Sequence, residues 1–77
     1  MVLAIFKKNR PKDKWNLHSF PKTNEDAIKA SKFLKEFAFK LGYNEAEIII
    51  QSFNGGQDSV PQTLEDIKVK PEKLNYN

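Results

Sequence analysis

Seventy-seven residues with no cysteine, 13 basic and 10 acidic side chains make one domain. A chain this short cannot divide its apolar residues between two cores, and no disulfide or thiolate metal site can reinforce it. The apolar residues alone must outweigh conformational entropy by a thin margin, which association between copies would widen.

The formal charge of +3 is unevenly spread. Residues 1–22 carry Lys7, Lys8, Arg10, Lys12, Lys14 and Lys22 against Asp13, a net of +5, and the remainder carries seven lysines against nine acids, a net of −2.

The opening MVLAIFKKNR places its basic cluster after a five-residue apolar run. That order and length fit neither a signal peptide nor a membrane span, and the chain is read as cytoplasmic. Val2 to Phe6 is continuously apolar, as expected of a central strand covered on both faces. KKNRPKDK, residues 7–14, has a proline, dense charge and no apolar residue, and reads as an exposed connection. Trp15, Leu17 and Ser19 alternate with Asn16, His18 and Phe20, which predicts a half-buried strand closing a hairpin with a basic tip.

Pro21 ends that strand. Thr23 and Asp26 have capping-box spacing, so a helix starts near Asn24. At 100° per residue, Ala27, Ala30, Ser31, Leu34, Phe37, Ala38 and Leu41 share one arc with Phe33 at its margin, opposite Glu25, Lys29, Lys32, Glu36 and Lys40. Ile28 and Phe39 lie together on the flank beside the lysines and are the candidate interface residues. Gly42 is placed for a left-handed cap, with Tyr43 for its apolar contact.

Glu47 to Phe53 reads as another strand. SVPQT, residues 59–63, can add a short edge strand, and Thr63 to Ile67 a helical turn capped by Thr63. The domain is expected to span residues 1–69 and a disordered tail residues 70–77.

The fold class is therefore α+β: a small, mainly antiparallel sheet of three to four strands, ββαβ or ββαββ, with one long amphipathic helix on one face. The second strand, helix and third strand form a crossover, with the first strand between the two and antiparallel to both. The opposite face carries Val2, Ala4, Phe6 with Ile48 and Ile50, or Leu3, Ile5 with Ile49 and Phe53. Either a second copy or a lid of Val60, Leu64, Ile67 and Val69 must cover it.

KWNL, KTNEDAIKASKFL and EIIIQSFNGG, between Trp15 and Gly56, resemble small bacterial strand-strand-helix-strand domains of unknown function. The resemblance implies the same fold and no activity. This chain differs in its longer helix and in the basic insertion before Trp15.

The residues supply little catalytic chemistry. Asn54-Gly55-Gly56 follows a strand, but Asp58 and Pro61 come next in place of a helix start and a Lys-Ser pair, so a tight turn is expected rather than a phosphate loop. His18, the only histidine, has no acid at metal-ligand spacing, and no nucleophile-base arrangement can be assembled. No catalytic residue, cofactor, metal or membrane contact is expected. The leading expectation is a non-catalytic binding or adaptor domain whose partner is a second copy or another protein. The alternative is a nucleic-acid-binding hairpin, with Lys7, Lys8, Arg10, Lys12 and Lys14 on phosphates and Trp15 stacking on a base.

Overall fold

A computed structural model describes residues 1–65. In chain order it has β1 (Val2–Lys8), β2 (Trp15–Ser19), α1 (Asn24–Lys40), β3 (Glu47–Phe53), a 3-10 turn (Gln57–Ser59) and β4 (Thr63–Leu64). The four strands form one sheet in the order β3-β1-β2-β4, with every pairing antiparallel. The ββαββ expectation holds: β1 lies between β2 and β3, and its run of apolar residues has cover on both sides. Ala4, Ile5 and Phe6 are completely buried.

Direct partners in an antiparallel pair share a face, so the register decides which residues meet. Ile5 pairs with Ile50 and Phe6 with Ile49. Leu3, Ile5, Ile48 and Ile50 accordingly pack under the helix with Ala27, Ala30 and Leu34. Val2, Ala4, Phe6, Ile49 and Phe53 gather on the far face with Trp15 and Leu17. The expected grouping of Val2, Ala4 and Phe6 with Ile48 and Ile50 is corrected by this one-residue difference in register.

β2 also departs from simple alternation. Ile5 pairs with Ser19 but Phe6 with Leu17, so His18 is an extra residue in a bulge. Trp15 and Leu17 stay on the far face while Ser19 moves opposite Ile5.

The far face is not open. After β3 the chain turns back, burying Val60 against Ala4, Phe6 and Trp15 and packing Leu64 beside them. β4 then pairs with β2, Trp15 opposite Leu64 and Asn16 opposite Thr63, and the Leu17 N–H donates to the Gln62 carbonyl at 2.8 Å. Thr63 and Leu64 are therefore a strand and not the start of the expected helical turn, because pairing with β2 engages their backbone and packs Leu64, partly buried, against the far-face core. Ile67, Val69, the expected domain end at residue 69 and the 70–77 tail lie outside the described residues.

α1 begins where its sequence signals placed it. Thr23 has an extended backbone, φ −134° and ψ 163°, and its side chain accepts the Asp26 N–H at 3.1 Å. Thr23→Ala should lower stability by about 1 kcal/mol, with Asn24→Ala near neutral; the reverse pattern in a denaturant titration would move the cap by one residue. At the other end the Tyr43 N–H donates to the Ala38 carbonyl at 2.9 Å and the Gly42 N–H to the Phe39 carbonyl at 3.0 Å, with Gly42 at φ 94°. This is a Schellman cap, and glycine supplies the left-handed residue it needs.

The helix buries less than its apolar arc suggests. Ala27, Ser31, Leu34 and Ala38 are buried. Phe37 and Leu41, expected in the core, are 49% and 60% exposed. The reason is the width of the support: α1 packs against β1 and β3, whose helix-side residues make a two-strand seat. Small residues seat the helix on that strip, and the rest of the arc overhangs it.

Candidate functional site

The connection between β1 and β2 is held by Asp13. Its carboxylate accepts the Arg10 N–H at 3.2 Å, and its own N–H donates to the Arg10 carbonyl at 3.0 Å. Lys8, next to the tip, is only 5% exposed. Its ammonium donates to the Pro11 carbonyl at 3.2 Å and lies 4.7 Å from the Trp15 ring centroid, a cation–π contact inside the fold. Trp15 is itself 5% exposed among Ala4, Phe6 and Val60.

Of the six hairpin residues expected to contact nucleic acid, these two are engaged inside the fold, the Trp15 ring packed in the core with the Lys8 ammonium over it. Lys7 is half-buried, and Arg10, Lys12 and Lys14 are exposed. The Arg10 guanidinium lies 5.7 Å from the Tyr43 ring centroid, tying the tip to the end of α1. The exposed cations Arg10, Lys12 and Lys14 are thus interleaved along the chain with Asp13.

The glycine turn closes on itself. Gly55 has φ 96°, whereas Asn54 stays at negative φ. The Ser59 hydroxyl lies 2.7 Å from the Gly56 carbonyl and 3.3 Å from the Asn54 carbonyl. A Cβ at Gly55 would come within 3.1 Å of that hydroxyl, so the glycine has a conformational and a steric reason. His18 is exposed with Nδ1 3.0 Å from the Ser19 hydroxyl, and the described residues contain no group of three His, Cys, Asp or Glu able to hold a metal. No described helix is long and apolar enough to cross a membrane.

Among the described residues, three of the five exposed large hydrophobic side chains lie on the overhanging flank of α1. Phe33, Phe37 and Leu41 follow one another at four-residue steps and are 67%, 49% and 60% exposed. This spacing makes them one continuous ridge along the helix. A recess lined by Arg10, Leu41 and Tyr43 carries the ridge toward the hairpin tip. Glu36 and Lys40 border it on the solvent side and are exposed.

Of the expected interface pair, Phe39 is 46% exposed and Ile28 half-buried. They lie across the buried stripe from the ridge, so the structure does not bring them together with it. Sequence reasoning missed Phe33, Phe37 and Leu41 as surface residues. The signal available was an apolar arc too wide for one helix on a narrow sheet. No family model, curated protein or solved structure matches the chain.

Proposed function

We propose that this chain is a small cytoplasmic, non-catalytic binding domain that associates with a second copy of itself through the outer flank of α1. The observation that carries this reading is the ridge of Phe33, Phe37 and Leu41, three large apolar side chains 67%, 49% and 60% exposed in a row along α1 and its C-cap. Scattered surface hydrophobes are ordinary, but a contiguous row is a recognised mark of an interaction surface. A domain of 77 residues also gains stability by burying it.

A nucleic-acid role for the hairpin is the weaker reading. Lys8 and Trp15 are engaged inside the fold, and Asp13 sits among the exposed cations.

Sedimentation equilibrium over a range from micromolar to several hundred micromolar tests the proposal. The expected mass rises from 8.9 kDa toward twice that value and persists at high salt, because the contact is mainly apolar. Phe37→Asp, at a position 49% exposed, should return the mass to the monomer, with thermal unfolding measured below the association range to show that the variant still folds. A wild-type chain that stays monomeric throughout the range would refute the reading.

A further inference from the structure

We propose that two copies pair α1 against α1 antiparallel, across a two-fold axis at Phe37, with reciprocal Glu36–Lys40 ion pairs between the copies along one rim. The inference rests on the self-association reading and adds its geometry. An isologous contact requires a patch complementary to itself when turned about the axis. Centred on Phe37, the ridge meets this condition: Phe37 faces Phe37, and Phe33 of each copy faces Leu41 of the other. All three exposed residues are then covered at once, an aromatic ring against an aliphatic side chain at each end.

The charges agree with the same axis. In an antiparallel pair the axis runs across both helices within the contact plane, so the same rim of each copy meets itself with its direction reversed. Glu36 and Lys40 are both exposed on the solvent-side rim. Glu36 lies one residue before Phe37 and Lys40 three residues after. At ~1.5 Å rise per residue, Lys40 of one copy therefore comes within about 3 Å, measured along the helix, of Glu36 of the other. Opposite charges meet twice. A parallel pairing would instead put the two copies of this rim on opposite sides of the contact, and neither ion pair would form.

From the residue exposures, the ridge offers roughly 350 Å² per copy, taking about 200 Å² for each large side chain. A standard stable interface buries about 800 Å² per partner. The dimer is therefore weak, with a dissociation constant on the order of micromolar to sub-millimolar, and dependent on concentration.

Charge exchange at the rim tests the geometry without touching the core. Glu36→Lys and Lys40→Glu each set like charges against one another twice, and each should weaken association at least tenfold, an order-of-magnitude expectation at low ionic strength. An equimolar mixture of the two variants should associate at least as strongly as the wild type, since every rim contact in the mixed dimer pairs a lysine with a glutamate. Sedimentation of each variant and of the mixture, with thermal unfolding to confirm that both remain folded, reads this directly. If Phe37→Asp breaks the wild-type dimer but mixing restores nothing, the ridge is the contact and the antiparallel register is wrong. If the wild type is a monomer, the self-association reading fails and takes this inference with it. A monomer that Phe37→Asp destabilises would assign the ridge to a contact within one chain.

Discussion

Phe6→Ala is expected to lower the free energy of unfolding by about 3–5 kcal/mol, the usual range for truncating a buried phenylalanine. Phe6 is completely buried at the centre of β1, packed with Ala4, Trp15 and Val60. Its ring lies 5.9 Å from that of Phe53 at an interplanar angle of 49°, and truncation removes this tilted aromatic pairing along with the buried area. The neighbours are held by strand pairing on both sides and can collapse only partly into the space. Stability of roughly 0.05–0.15 kcal/mol per residue gives a domain of this size about 4–12 kcal/mol, so the variant loses a large share of it. A urea titration measures the change. A decrease below about 1 kcal/mol would mean that Val60 and Leu64 do not cover the far face.

Leu34→Ala is expected to cost about 2–4 kcal/mol, for the same reason on the opposite side of the sheet. Leu34 is 9% exposed and packs with Ile5, Ile50 and Ala27, the centre of the packing between α1 and the sheet. Phe33→Ala is the informative control: the side chain next to Leu34 is 67% exposed, and its removal should change monomer stability by no more than about 0.5 kcal/mol. Denaturant titrations below the association range compare the two. A large effect at Phe33 with a small one at Leu34 would place the helix about a quarter-turn from the orientation described.

These two positions show what could be read from the chain. Val2 to Phe6 announced a strand covered on both faces because it lacks the polar alternation of a half-exposed one, and β1 is central. Thr23 and Gly42 marked the ends of α1 through local chemistry, a side-chain oxygen for a free N–H and a residue able to adopt positive φ. Both signals depend on neighbours in sequence, so no tertiary information was needed. The basic tip was legible as exposed charge, but not its internal use: Lys8 over Trp15 is a contact across a hairpin whose register the sequence leaves open.

The candidate site was legible as composition and not as location. Helical periodicity placed Phe37 and Leu41 in the same arc as Leu34, and by angle alone the three are equivalent candidates for burial. Which of them is buried depends on the width of the surface beneath the helix, set by the pairing of β1 with β3 and by small residues at Ala27, Ser31 and Ala38. The far face was decided in the same way: Val60 and Leu64 fill it because β4 pairs with β2, a pairing between residues far apart in the chain. By itself the sequence determined the types of β1, β2, α1 and β3, the helix ends and the central strand, since these follow from local propensity and patterning. Only the tertiary structure decided the register, the cover on the far face and the exposed ridge, because each depends on how surfaces distant in sequence divide the available apolar side chains between them.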